Sequence, residues 1–553
     1  MIPKHPTRQP KKTRGVALNA LFFASVFFVL WKFFLINTLW HDRTIAPEPD
    51  DSYEYIANIA SVSTCTAGLT CPYPGVSFSD HSGFSYLSYR MFFGLMGRAI
   101  NLSPESAYHA VFFIGTLLLI PVLIFFLKSL TNNSRKAAWA LFFLAFYHGT
   151  GETHGFFWVV PSFFSALLFF LLFSLITHRR PFPYILSAML SLTYAFVHPI
   201  SIYLIGIIPL FFIFLYIFSG DIDKEALKRS GFVILVVISA ACFQALYLSR
   251  LSETNYYGID ESTKNVGRFI HQLLPSKSDI TNVSREKTAK TVEYQLTRTP
   301  YQSIARQRVA SLDLVYFRYI LPHWTFAIPM FCAFLVLFWK REFKILSLYF
   351  ASLSFFILAT LFNEFGFRSA IILWPVTFVV FAFASWWLII SFSTLKNPLI
   401  RRTLQGISLL FTMLFLGLNA FLSFIFNTNM NSRYNYVLDE RFSSYLLQTM
   451  NPDDTVKLTP ILVRTAAGAR LYLSEKVASP EDTPSYIVTL DSSGRTSQLE
   501  TRDTAACSIA RRLSQTLGIP MSSPSRNRSS KVIQGYEFDK AFGDIRIYRK
   551  TNL

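Results

Sequence analysis

Apolar runs about as long as a bilayer is thick recur some eleven times along this chain, and no other feature limits its fold so strongly. They fall near residues 16–39, 107–128, 137–149, 155–177, 184–198, 200–218, 231–249, 319–339, 344–362, 369–392 and 404–426. A helix needs roughly 20 apolar residues to cross the hydrocarbon layer, and only a helix or a closed barrel satisfies its own backbone there. With 57 Phe among 553 residues, 52% hydrophobic content and a mean hydropathy of +0.36, the chain carries more apolar surface than globular cores of this length absorb. The expected fold class is a polytopic α-helical membrane protein with about 11 transmembrane helices.

The formal net charge of +19 does not point to nucleic acid, because much of it lies in short connections between the apolar runs. Lys128, Arg135 and Lys136; Arg179 and Arg180; Lys224, Lys228 and Arg229; Lys340, Arg341 and Lys344; and Lys396, Arg401 and Arg402 all fall on alternate connections. The short connections between them, Gly149 to His154, His198-Pro199 and Asn363 to Arg368, hold a single Arg. The positive-inside rule then sets the basic stretch 1–15 in the cytoplasm of a multi-pass cytoplasmic (inner) membrane protein. The first run is too long for a cleaved signal h-region and reads as a retained anchor. Lys32 inside it is expected either to snorkel to the nearer interface or to face an anionic ligand. Cys65 and Cys71 share one loop and are able to pair in an oxidising compartment, whereas Cys242 and Cys332 sit in apolar runs as packing residues.

Three segments too large for turns then fall on the outer side of a transmembrane domain spanning 16–426. Residues 41–106 form a first outer loop that includes an amphipathic stretch from Phe84 to Ile100. Residues 250–318 are polar and basic, and are either a solvated loop or a lid over a bound lipid phosphate. The tail 427–553 reads as a small extracytoplasmic (periplasmic) α/β domain. Val456 to Val463, Ser485 to Leu490 and Ile545 to Tyr548 have strand composition, and Ala505 to Leu517 has helical periodicity.

The same outer face gathers the ionisable groups that are rare in such a chain. Asp50 and Asp51 open a helical pattern carrying Tyr53 and Tyr55, so either carboxylate is also suited to cap that helix. His81 precedes the amphipathic stretch with Arg90; Glu152 and His154 share a short turn; His198-Pro199 separates two apolar runs; and Arg368 follows Glu364. Each has a plain alternative: a solvated loop for His81, a polar turn for Glu152 with His154, a bond to a neighbouring carbonyl for His198, and lipid headgroups for Arg368. Together they suit transfer of a group from a lipid phosphate. The tail stays in the bilayer, a carboxylate takes the acceptor's proton, and an Arg stabilises the charge growing on the departing phosphate. Asp51, Glu152 and His154 also have the ligand chemistry to hold a divalent metal such as Mg or Mn.

The run Pro49-Asp50-Asp51-Ser52-Tyr53-Glu54-Tyr55, His81 before an aromatic amphipathic segment, His198-Pro199, Arg368 shortly before Trp374-Pro375, and a closing Tyr536-Glu537-Phe538-Asp539-Lys540-Ala541-Phe542-Gly543-Asp544-Ile545-Arg546-Ile547-Tyr548 resemble the GT-C superfamily of membrane glycosyltransferases. The resemblance covers the layout of the whole chain through short motifs. It implies a polyprenyl-phosphate sugar donor and an extracytoplasmic acceptor (glycan, lipid or protein). It further implies Asp50 or Asp51 as the acceptor-activating base, Glu152 as the second acidic position, and Arg90 or Arg368 as a phosphate contact. His81-Ser82-Gly83-Phe84 departs from the His-Pro-Pro-Leu-like element of the family. A single displacement needs only a base and a leaving-group stabiliser, so inversion at the anomeric carbon is expected. The rival readings are a transporter or flippase of a lipid-linked saccharide, which would place broken helices at mid-membrane, and a polysaccharide polymerase or ligase.

Overall fold

The structure is a computed structural model that describes residues 19–32, 59, 87–102, 104–147, 161–178, 182–198, 200–251, 327–362, 369–433, 445–446, 448–451, 453–458, 483–490, 535–542 and 545–551. The chain divides into two compact units. One comprises Met1–Lys32, Thr116–Phe156 and Ser162–Ala420; the other comprises Phe33–Gly115, Phe157–Pro161 and Phe421–Leu553.

The described helices are α1 (Asn19–Lys32), α2 (Leu87–Ala99), α3 (Pro104–Leu130), α4 (Ser134–Ala145), α5 (Pro161–Thr177), α6 (Tyr184–Val197), α7 (Ile200–Leu204), α8 (Ile207–Ser219), α9 (Lys224–Leu251), α10 (Ala327–Trp339), α11 (Phe343–Phe362), α12 (Ala370–Ser393) and α13 (Pro398–Arg433). Each of the eleven apolar runs overlaps a described helix in part or in full. Among the described residues, five stretches are long and apolar enough to cross a membrane: Ser106–Leu130, Ile200–Ser219, Lys224–Phe243, Ala370–Ser393 and Pro398–Ala420. Five shorter apolar helices accompany them.

In the first unit α12 is the central pillar. Its residues from Ala370 to Ala384 are buried without a break, as expected of a helix that is apolar all round. Helices α4, α10 and α11 pack on it, α8 packs on α11, and α6 packs on α9. Aromatic contacts fill the seams: Tyr147 with Trp374 at 5.8 Å, and Phe381 with Phe415 at 4.6 Å. The close approach of α8 to α11 depends on Gly206, where an added Cβ would stand 2.8 Å from the Phe355 ring.

The basic connections meet one another. The Lys344 ammonium at the start of α11 donates to the Ser129 carbonyl at the end of α3 (3.2 Å), and Lys136 on α4 pairs with Glu342. Arg229 on α9 donates to the His178 carbonyl after α5 (2.5 Å). Loops grouped by charge alone therefore share one end of the helices in these pairs.

Two sequence expectations are corrected here. Lys32 does not snorkel: it is 1% exposed, with its ammonium 5.8 Å from the rings of Phe28 and Phe163, because α1 turns that face toward the bundle. Cys242 and Cys332 are exposed rather than packed inside, since they lie on the outward faces of α9 and α10.

The second unit contains the turn from α2 to α3 and a small sheet. The α2 helix falls within the stretch read as amphipathic and ends with Asn101 at φ 52°, a residue that tolerates the left-handed region. The sheet consists of β1 (Val456–Leu458), β2 (Tyr486–Leu490), β3 (Tyr536–Phe542) and β4 (Ile545–Lys550) in the order β1-β2-β4-β3. The β1 and β2 strands are parallel and the other pairs antiparallel. Alternation sends Tyr486, Val488 and Ile547 inward. A register shift between Phe538 and Lys540 leaves Asp539 to accept from the Tyr445 hydroxyl (3.1 Å). The β3 strand was not among those read from composition. The helix expected over Ala505 to Leu517 lies outside the described residues.

Candidate functional site

Of the candidate site residues read from the sequence, His198 is the one whose side chain the structure describes. Asp50, Asp51, Tyr53, Tyr55, His81, Glu152, His154 and Arg368 lie outside the described residues. Arg90 lies on α2, where its backbone is helical and its side chain is outside the description.

His198 stands where α6 stops. A residue before proline is pushed from helical to extended backbone by the proline ring, and His198 has φ −161° and ψ 142°. The side chain is 6% exposed. Its Nδ1 accepts the Ile200 N–H (3.0 Å). The reason is local: the break leaves the first amides of α7 without helical partners, and an acceptor two residues back meets one of them. Because Nδ1 uses its lone pair there, the neutral ring carries its proton on Nε2. Three residues on, the Ser201 hydroxyl donates to the Ser165 hydroxyl on α5 (2.9 Å), which ties the break to the adjacent helix.

The polar character of α6 extends below His198. Ser187, Ser191 and Tyr194 are all fully buried and recur at helical spacing on one face. Ser191 donates to the Ser187 carbonyl (2.7 Å). Among the described residues the Tyr194 hydroxyl has no hydrogen-bond partner. Tyr194 was missed in the sequence because an aromatic residue in an apolar run reads as packing; its place one turn before His198 was the available signal.

A second polar centre lies at the other end of the helices. Lys136 and Glu342, far apart in sequence, form an ion pair in which Lys136 is nearly inaccessible. The Trp387 indole N–H donates to the same carboxylate oxygen (2.6 Å), and the Lys136 ammonium sits 4.1 Å from the Phe383 ring. One carboxylate thus receives two donors inside an aromatic box. Its connectivity is that of a clasp holding α4, α11 and α12 together. Among the described residues no group of three His, Cys, Asp or Glu is placed to hold a metal ion, and the candidate ligands Asp51, Glu152 and His154 lie outside that description.

No known family matches the sequence, and no curated protein does. Among solved structures, the chain is similar to the oligosaccharyltransferase of Archaeoglobus fulgidus. The form tethered to an acceptor peptide containing the NVT sequon is 12% identical with a TM-score of 0.49, over 97% of this chain and 74% of that one. The same enzyme, AglB, in complex with an inhibitory peptide and a dolichol-phosphate gives 12% identity and a TM-score of 0.48, over 98% and 75%. A form with Zn and sulfate gives 11% and 0.45, over 89% and 69%. At these values neither the activity nor the ligands of AglB transfer to this chain.

Proposed function

We propose that this protein is an integral membrane glycosyltransferase of GT-C type. On this reading it moves a sugar from a polyprenyl-phosphate carrier to an acceptor on the outer side of a cytoplasmic membrane, which it crosses about eleven times. The observation that carries the reading is a buried imidazole at a helix break, on the face where the sequence also gathers its carboxylates. Buried ionisable groups among membrane helices are costly and mark functional sites, and a broken helix provides polar backbone where a headgroup can be met.

Asp50 or Asp51 takes the proton of the acceptor hydroxyl, and Glu152 is the second acid. Tyr53, Tyr55, His81, Arg90, His154, His198 and Arg368 bind the donor substrate and its carrier phosphate. A divalent metal, held by Asp51, Glu152 and His154, would add neutralisation of phosphate charge. The sugar leaves its phosphate in one displacement, which inverts the anomeric centre. Residues 16–426 form the membrane domain, and 427–553 fold outside it with the β1-β2-β4-β3 sheet as their described part.

Purified protein incubated with a radiolabelled polyprenyl-phosphate monosaccharide in vesicles should transfer label without a gradient. The Asp50→Asn and Asp51→Asn variants should insert and express normally while at least one loses transfer. Full transfer by both variants removes the assignment. Movement of intact labelled lipid to the far leaflet, with no transfer, indicates a flippase instead.

A further inference from the structure

We propose that the corner joining α10 to α11 is a binding site for an anionic phospholipid, with the headgroup on Lys340 and Arg341 and the acyl chains along the outer face of α10. The proposal stands independently of the glycosyltransferase reading.

The first observation is the backbone. Helix α10 closes with the Glu342 N–H donating to the Leu337 carbonyl (2.9 Å) and the Arg341 N–H to the Phe338 carbonyl (3.0 Å). This is the double closure that normally puts glycine at the residue next to last. Here that residue is Arg341, at φ 53°. The same place after α8 is taken by Gly220, and after α2 by Asn101. A left-handed L-residue with a long side chain is unfavourable, and retained strain of this kind is a pointer to function.

The second observation is the charge balance. Glu342 is the one acidic residue in this turn, and its carboxylate is engaged inward by Lys136 and the Trp387 indole. Arg341 is left exposed beside half-buried Lys340. The Lys136–Glu342 and Lys344–Ser129 contacts bring the start of α4 and the end of α3 to the same corner, adding exposed Lys128 and Arg135. The Lys340 ammonium is held 3.9 Å over the Trp339 ring and 5.4 Å from that of Trp387. Cation–π contact fixes it at the level where indoles settle in a bilayer, among the headgroups.

The third observation names a lipid rather than a soluble phosphate. Directly below the cations, Ile328, Phe331, Leu335 and Trp339 recur at helical spacing with 68%, 62%, 55% and 69% exposure. An apolar strip continuous with a cationic cap matches a molecule that is anionic at one end and hydrocarbon at the other. Zwitterionic lipid lacks the net charge, and free phosphate has nothing to lay on the strip.

The test uses the full-length protein in detergent with dioleoyl phosphatidylglycerol and dioleoyl phosphatidylcholine in competition, and counts bound lipid by native mass spectrometry. The variant is Lys340→Gln with Arg341→Asn. Asn suits the left-handed backbone, so the melting temperature should not fall. A basic residue at an anionic surface contributes about fivefold in binding, so the preference for phosphatidylglycerol should drop by about 25-fold. Lys228→Gln, which removes an exposed Lys paired with Glu225 at 3.1 Å, should leave the preference unchanged. Soluble glycerol phosphate at matched concentration should not displace the lipid. An undiminished preference in the double variant overturns the proposal, as does displacement by glycerol phosphate. If the double variant melts early, Lys340→Gln alone decides: about fivefold supports the site and no change refutes it.

Discussion

Replacing Glu342 by Ala tests how α4, α11 and α12 are held together. The substitution leaves the Lys136 ammonium enclosed without its carboxylate and the Trp387 N–H without its acceptor. Breaking a buried ion pair from one side costs about 3–5 kcal/mol, and an orphaned buried donor adds about 1–3 kcal/mol. Two effects reduce the sum. The Glu342 side chain keeps 15% of its exposure, so water partly replaces it. The Phe383 ring at 4.1 Å also retains about 1–2 kcal/mol of cation–π attraction. The expected net loss is about 3 kcal/mol. The paired variant Lys136→Met with Glu342→Gln should behave differently. Met fills the aromatic box without a charge, and the Gln carbonyl still accepts from Trp387, so the cost should stay within about 1 kcal/mol, as for other buried pairs replaced together. Unfolding of the purified protein in detergent, followed for Glu342→Ala and for the four members of the cycle built from Lys136→Met and Glu342→Gln, gives the loss and the coupling. A loss under about 0.5 kcal/mol for Glu342→Ala, or strict additivity of the two sites, would refute the view that this pair is a buried clasp.

Three further outcomes are expected. His198→Asn keeps an acceptor where Nδ1 meets the Ile200 amide and removes Nε2, so folding should survive while transfer falls by tenfold or more; unchanged transfer would make His198 a cap only. Gly206→Ala should destabilise by about 1–3 kcal/mol through overpacking against Phe355, and the same change should cost much less when made in a Phe355→Ala background; equal costs in the two backgrounds would place the strain elsewhere. Burial raises the Asp454 carboxyl, yet the Asn451 amide, the Ser485 hydroxyl and the Arg549 charge together outweigh it and hold its pKa below the usual value. A lowered folded pKa gives stability that is present above the unfolded value and lost as pH falls through the folded one. Asp454→Asn should therefore lower the melting temperature at pH 7, with the gap closing toward pH 3. A gap independent of pH would show that the carboxylate is not the cause.

The sequence by itself determined where the helices run, because crossing a bilayer leaves a local mark: about twenty apolar residues with basic flanks. Each run overlaps helix among the described residues, and the basic connections grouped by charge meet at Lys136–Glu342, Lys344–Ser129 and Arg229–His178. It also located the break at His198, since proline restricts the residue before it. Of the candidate site this is the part that can be compared, as the acidic pair and its companions lie outside the described residues. What only the tertiary structure decided was who meets whom. Lys32 looks the same in sequence whether it faces lipid or the Phe163 ring. Glu342 reads as one more loop charge until α4 and α12 bring Lys136 and Trp387 to it. The placing of β4 between β2 and β3 is likewise invisible in strand composition. Hydropathy and turn chemistry act over a few neighbouring residues, whereas ion pairing, burial of a charge and strand order depend on surfaces brought together from hundreds of residues away.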